Sequence, residues 1–109
     1  MSDIEELIQK LKLFRDERDW KQFHNPKDLA IALSIEASEL LETFLWKTHD
    51  QADHNKIKEE LADVLAYALL LAESCNLDVK EIIEKKIEIN KKKYPIEKSK
   101  GTGKKYTDL

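Results

Sequence analysis

The sequence predicts an all-α protein with the architecture of a four-helix bundle. Its 109 residues include only two glycines and two prolines, so the turn-forming residues that β-proteins need are scarce. Apolar residues recur every three or four positions in four separate segments, which is the spacing of amphipathic helices. Charged residues make up 38% of the chain, enough to cover the outer faces of such helices.

The first predicted helix covers about residues 4–18. Its apolar stripe consists of Ile4, Leu7, Ile8, Leu11 and then Phe14 or Arg15. A second helix is expected to begin at Pro26, because Asn25 is a good N-cap and proline suits the first helical position. The apolar pattern predicts that this helix continues to about Trp46 or Lys47.

A polar loop at 48–53 separates the second helix from a third, predicted at about 55–74. Asp78 and Glu81 then form a capping pattern for a fourth helix. That helix should end at Tyr94, because proline at the next position disfavours helical backbone in the residue before it. We therefore predict one helical domain at 1–95 and a basic, mobile tail at 96–109.

Charge is unevenly distributed along the chain, although the net charge is only −3. Residues 80–109 hold ten lysines against five acids, whereas residues 1–79 hold nine basic residues against seventeen acids. No apolar run is long enough to span a bilayer, and the acidic N-terminus does not resemble a signal peptide. With a single cysteine as well, we expect a cytoplasmic protein with no membrane or nucleic-acid partner.

Four acidic residues lie where apolar side chains are expected. Glu36 and Glu39 share a helix face with leucines of the second helix, and Asp63 is the one charged residue among 61–72. Glu60 lies three residues before Asp63, on the same face. Pairing with surface lysines would explain one such acid, but two acid pairs on consecutive helices favour a shared cation. A set without histidine or cysteine indicates Mg²⁺, with Mn²⁺ as a substitute.

Polar residues also interrupt the apolar stripe of the fourth helix. Lys86, Asn90 and Lys93 are spaced i, i+4, i+7, so they line one side, where they would bind phosphate or sugar oxygens. The alternative is a lysine whose stem covers the apolar stripe while its ammonium stays in water. Among the aromatic residues, Trp20, Trp46 and Tyr67 are candidates for stacking on a nucleobase, with ordinary packing as the alternative.

The chain resembles a known family, the MazG-like nucleotide pyrophosphohydrolases, and within it the small dCTP pyrophosphatase branch. The resemblance rests on matching stretches at 18–26, 36–42, 44–47, 59–65, 90–95 and 105–107. These stretches include the E-x-x-E and E-x-x-D pairs, a tryptophan in each of the first and third stretches, and a Tyr-Pro pair. The resemblance extends over nearly the whole chain.

The resemblance implies a Mg²⁺-dependent enzyme that cleaves a nucleoside triphosphate, dCTP or a related pyrimidine nucleotide, to monophosphate and pyrophosphate. It implies a homodimer or homotetramer with the metal ligands Glu36, Glu39, Glu60 and Asp63. The implied substrate contacts are Trp20, Trp46, Tyr67, Lys86, Asn90, Lys93, Lys104 and Tyr106. Two departures are Leu11, where the dCTP branch has a histidine that helps read the base, and Ser38, where glycine is common.

The expected reaction is metal-assisted hydrolysis at the α-phosphorus, with Glu36 or Glu39 as the general base. A di-iron carboxylate bundle is disfavoured, because no glutamate has a histidine three residues later. A non-catalytic helical module that dimerises through its apolar faces is the alternative. It accounts for the amphipathic helices but not for Asp63 or the second acid pair.

Overall fold

The computed structural model describes all residues from 1 to 109 and contains helices but no β-strand. The α-helices are α1 (Asp3–Glu17), α2 (Pro26–Glu42), α3 (His54–Ser74), α4 (Val79–Lys93) and the short α5 (Ile96–Ser99). Short 3₁₀ turns occur at Lys21–Phe23 and Tyr106–Asp108. The all-α prediction is confirmed. None of the helices combines the length and apolar character needed to cross a membrane.

The helix starts follow the capping residues of the sequence. The Asn25 side chain accepts a hydrogen bond from the backbone N–H of Asp28, with Pro26 at the start of α2. The Asp78 side chain accepts one from the N–H of Glu81 at the start of α4. Each cap satisfies a backbone donor that has no partner inside the helix. The predicted starts of α2 and α4 are therefore confirmed.

The second helix ends earlier than predicted. It stops at Glu42, not at Trp46 or Lys47, and residues 43–46 form turns. Trp46 has φ 63°, in the left-handed region, where the backbone of a right-handed helix cannot continue. The apolar spacing runs through Phe44 and Leu45, which is why periodicity alone overestimated the length of this helix.

The chain divides into two compact units, Met1–Leu77 and Asp78–Leu109. In the first unit, α2 and α3 share the most extensive contact, and α1 also packs against α3. The buried apolar side chains are few, namely Leu29, Leu70 and Ala72. The second unit contains α4, α5 and the C-terminal 3₁₀ turn. The predicted boundary after residue 95 and the mobility of the tail stay predictions.

Candidate active site

Three carboxylates from α2 and α3 meet in the first unit. One oxygen from each of Glu36, Glu60 and Asp63 lies within 4.8 Å of the other two. Residues three apart on a helix project from one face, so α3 presents Glu60 and Asp63 together to Glu36 on α2. The extensive contact between the two helices thus brings acids of both predicted pairs to one place. We refer to Glu36, Glu60 and Asp63 as the acid cluster.

Crowding and burial raise the pKa values of two members of the acid cluster. Burial, then a side-chain hydrogen bond with Glu39 and the nearby charges of Glu39, Asp63 and Glu60, raise the pKa of Glu36 to about 7. The pKa of Glu60 is raised by burial and by Glu39 and Asp63, against an opposing effect of Lys56. Both shifts are those expected of carboxylates that are partly buried and crowded by other carboxylates.

Two oxygen atoms of the acid cluster have no hydrogen-bond partner. Oε2 of Glu36 and Oε2 of Glu60 are both buried and accept no hydrogen bond. A buried carboxylate oxygen without a partner is unfavourable, and a bound cation would supply the missing interaction. The donor set consists only of oxygen, which fits a hard divalent ion such as Mg²⁺ or Mn²⁺. The residues present therefore fit the metal that the sequence predicted.

Glu39 lies beside the acid cluster, outside its compact group of three. Its charge raises the pKa values of both Glu36 and Glu60, so it belongs to the same electrostatic site. Glu39 also lines an open hollow of about 480 Å³ together with Glu60, Lys47 and Lys56. Basic side chains beside carboxylates make this hollow suitable for oxygen-rich groups such as phosphates.

A second cavity, of about 350 Å³, is bordered by two members of the acid cluster, Glu36 and Asp63. Phe14, Trp20 and Tyr67 provide aromatic walls. We refer to this space as the aromatic pocket. A flat apolar ring system bound there would lie next to the carboxylates, which is the arrangement that a nucleotide base and its phosphates require.

The end of α1 determines the position of Trp20. Asp19 adopts φ 55°, the N–H of Asp19 donates to the carbonyl of Asp16, and the N–H of Trp20 donates to that of Arg15. This pair of bonds is a Schellman motif, which turns the chain back along the helix it has just left. The ring of Trp20 consequently meets that of Phe14 edge-on, with 5.7 Å between centroids.

Two polar residues of the aromatic pocket, His24 and Arg15, were not predicted as site residues. His24 has a buried Nδ1 atom without a hydrogen-bond partner, and its ring packs edge-on against Tyr67 at 6.4 Å. Burial, and then the charge of Arg15, lower the pKa of His24, which favours the neutral imidazole. Arg15 itself lines the pocket and is only 3% exposed. The signal for Arg15 was present in the sequence, since a charged residue fell on the apolar stripe of α1.

Trp46 lies apart from the aromatic pocket. It does not line this cavity, and its side chain is 99% exposed in the turn after α2. The sequence had placed it on the same side of the second helix as Glu39, but that placement is wrong because the helix ends at Glu42. A contact between Trp46 and a base stays a prediction.

The predicted basic residues belong to the second unit. On α4, Lys86 and Asn90 line a shallow hollow of about 490 Å³ with Ile82, Ile83 and Ile87. The ammonium of Lys93 lies 4.9 Å from the ring centroid of Tyr106, whose edge meets Tyr94. Lys104 is exposed, outside any helix. Lys86 and Asn90 thus share one hollow, which Lys93 does not line, and the substrate contacts of these residues stay predictions.

Comparisons with known proteins identify the family of this chain. Residues 31–109 match the model of the MazG-like family. The chain is 39% identical over 104 residues to dCTP pyrophosphatase 1 of Mus musculus and 38% identical to that of Homo sapiens, with 88% of this chain and 61% of each relative covered. The chain therefore spans about 61% of the length of these relatives.

A solved structure has the same fold. A pyrophosphatase from Archaeoglobus fulgidus superposes with a TM-score of 0.81 at 39% identity, and the match covers 87% of this chain and 94% of that one. The chain belongs to the MazG-like family.

Proposed function

We propose that this protein hydrolyses a nucleoside triphosphate, dCTP or a related pyrimidine nucleotide, to the monophosphate and pyrophosphate. The observation that supports this proposal best is the acid cluster bordering the aromatic pocket. A metal-competent group of carboxylates and a space for a planar ring lie side by side, as the two ends of a nucleotide require. The relatives named dCTP pyrophosphatase 1 point to the same substrate class.

Glu36, Glu60 and Asp63, with Glu39 beside them, would hold a divalent cation, which we propose to be Mg²⁺. When bound, Mg²⁺ neutralises phosphate oxygens and lowers the pKa of a coordinated water. The two unpartnered oxygens, Oε2 of Glu36 and Oε2 of Glu60, are the natural ligand atoms. Mn²⁺ has the same preference for oxygen and is the expected substitute.

In the proposed reaction, the oxygen of a water attacks the α-phosphorus, the bond from this phosphorus to the α,β-bridging oxygen breaks, and pyrophosphate leaves. Glu36 or Glu39 accepts the proton that the water loses. Both lie on one face of α2, next to Glu60, and Glu39 is the one outside the compact group of three. The aromatic pocket would hold the base, so that the α-phosphate is kept at the carboxylates.

Phosphate contacts are proposed for the basic residues Lys86, Lys93 and Lys104, with Asn90 and Tyr106 as hydrogen-bonding partners. Lys86 and Asn90 share one hollow on α4, which provides an ammonium and an amide for phosphate or sugar oxygens. Trp46 is proposed as a base contact along with Trp20 and Tyr67. Its full exposure leaves the ring free to meet a ligand.

We further propose that the chain works as a homodimer or homotetramer. Large apolar side chains of α2 and α3 are 42–66% exposed, namely Ile31, Ile35, Leu41, Leu61 and Leu65. Three buried apolar residues make a small core for 109 residues, and a second copy would cover these side chains. Light scattering on the eluted protein would test the proposal, and a monomeric mass would contradict it.

The proposed activity is tested by its products. The protein is incubated with dCTP, dUTP, dTTP and dATP, with and without Mg²⁺, and pyrophosphate and orthophosphate are measured separately. We expect dCMP and pyrophosphate from dCTP, and little orthophosphate. Release of orthophosphate with dCDP would place the attack at the γ-phosphorus and contradict the proposal. No turnover of any nucleotide would favour the non-catalytic helical module.

A further inference from the structure

Arg15 is a buried charge whose position requires an explanation. Its side chain is the one buried charged group of the chain, and it lines the aromatic pocket. A guanidinium on an apolar stripe of α1 is costly to bury unless its donors find acceptors. Arg15 Nε donates to Oδ1 of Asp16 at 2.9 Å, and Nη1 donates to Oε2 of Glu73 at 3.2 Å.

These two bonds leave part of the guanidinium without a partner. A guanidinium carries five N–H donors in a fixed plane, and two of them are used here. Nη2, with two of the remaining donors, takes part in no hydrogen bond of the chain. The bonds to Asp16 and Glu73 hold the fork rigidly, so the free donors keep a fixed direction without an entropic cost on binding.

The charge of the guanidinium also acts on a neighbouring wall of the aromatic pocket. Its charge is one of the two causes that lower the pKa of His24, another lining residue. The remaining walls near it are apolar or aromatic and include Leu11, Phe14 and Trp20. A ligand in this pocket would meet the guanidinium of Arg15 among aromatic and apolar walls, with the carboxylates of Glu36 and Asp63 at the border of the cavity.

We propose that Arg15 is a specificity-determining residue that donates a hydrogen bond to a carbonyl oxygen of the bound base. This inference rests on the proposed function and deepens it. Among the atoms of a pyrimidine, the O2 carbonyl is shared by cytosine, uracil and thymine, so Arg15 selects the class of base, not one member. Leu11 also lines the pocket, but its side chain cannot form a hydrogen bond with the base, so other residues of the pocket must do so.

The test replaces the acceptor on the ligand and the donor on the protein in turn. Turnover and binding are measured with dCTP and with its 2-thio analogue, in which a weakly accepting sulfur replaces O2. The variants are Arg15→Met, which keeps a long side chain without donors, and Arg15→Lys, which keeps the charge without the fork. Lys12→Met is the matched control, because Lys12 pairs with the same Glu73 at 3.8 Å and does not line the pocket.

We expect the wild-type protein to have a KM for the 2-thio analogue about tenfold above that for dCTP, with kcat changed much less. Arg15→Met should raise the KM for dCTP by a similar factor. The ratio of the KM for the 2-thio analogue to the KM for dCTP should then fall to about one. Arg15→Lys should be intermediate. Lys12→Met should keep the full preference even if its melting temperature falls, since it loses only an ion pair.

Two results would overturn the role of Arg15. One is an equal KM of the wild-type protein for dCTP and for its 2-thio analogue. This result does not depend on whether a variant folds. The other is an Arg15→Met protein that keeps the wild-type preference and only melts earlier, as a purely structural ion pair predicts. Calorimetric titration with the α,β-methylene forms of both nucleotides separates this question from catalysis. A binding preference without turnover would contradict the proposed function while supporting Arg15.

Discussion

The charges on α2 and α3 and those on α4 are balanced in different ways. On α4, Lys80 pairs with Glu84, Lys85 with Glu81 and Lys91 with Glu88, all within one helix and all exposed to solvent. In the acid cluster, carboxylates of two helices face one another, and Oε2 of Glu36 and Oε2 of Glu60 have no partner. Pairs of the first kind contribute little to stability or function.

The difference teaches how a functional charge is distinguished from a structural one. A helix whose charges are neutralised by neighbours three or four residues away is complete by itself. In the acid cluster, packing has placed like charges together, and two of their oxygens have no hydrogen-bond partner. Lys86 is an intermediate case, since it makes no ion pair and shares a hollow with apolar side chains of α4. Four measurements test whether the acid cluster and the charges of α4 differ in function in this way.

The largest effect is expected for neutralising the acids. Asp63→Asn and Glu39→Gln should each lower pyrophosphate release from dCTP by at least about a hundredfold, because charge stabilisation by a catalytic metal contributes several kcal/mol. The helical circular dichroism spectrum should be unchanged. Glu59→Gln is the control, since Glu59 lies next to Glu60 in the sequence but pairs with Lys56. If Asp63→Asn kept the wild-type turnover, the proposed metal site would be contradicted.

The two tryptophans should differ in stability and agree in substrate binding. Trp20→Ala should raise the KM for dCTP about tenfold, within the range of a base–aromatic contact, and should lower the melting temperature because Trp20 packs on Phe14. Trp46→Ala should raise KM without this loss, because its exposed ring has no packing to lose within the chain. Leu45→Ala is the control, because it removes another exposed apolar side chain from the same turn. An unchanged KM in Trp46→Ala would exclude that residue from base binding.

A smaller effect is expected on α4. Lys86→Met should raise the KM for dCTP by about three- to tenfold through the loss of one charged hydrogen bond to phosphate. Lys85→Met should leave KM unchanged, because the ammonium of Lys85 is paired with Glu81 at 2.8 Å. Equal effects of the two substitutions would mean that α4 contributes only general positive charge.

The smallest effect concerns the stability of the metal-free protein. The pKa of Glu36 is about 7 in the folded chain, against an ordinary value of 4.5. Between these values the folded state binds more protons than the unfolded state, so the free energy of unfolding should fall as pH rises from 4.5 to 7. Urea unfolding in EDTA measures this slope. Glu36→Gln should flatten it, and Glu59→Gln should not.

The starts of the helices and the candidate acids followed from the sequence, whereas the end of α2 did not. Capping residues such as Asn25 and Asp78 act within three or four positions, so the starts of α2 and α4 could be read directly. The acids were recognisable because the leucine-rich faces of α2 and α3 also carry Glu36 and Asp63, respectively. Ser38 also fits the helix, where its hydroxyl donates to the carbonyl of Ser34.

Only the tertiary structure decided which of these groups meet. Helical spacing fixes the face on which a residue lies, but not the residue of the next helix that it faces. For this reason the sequence could not predict that Glu36 joins Glu60 and Asp63 while Glu39 lies beside them. It also could not place Arg15 and His24 in one pocket, because those contacts depend on how α1 packs against α3 and on the turn that follows α1.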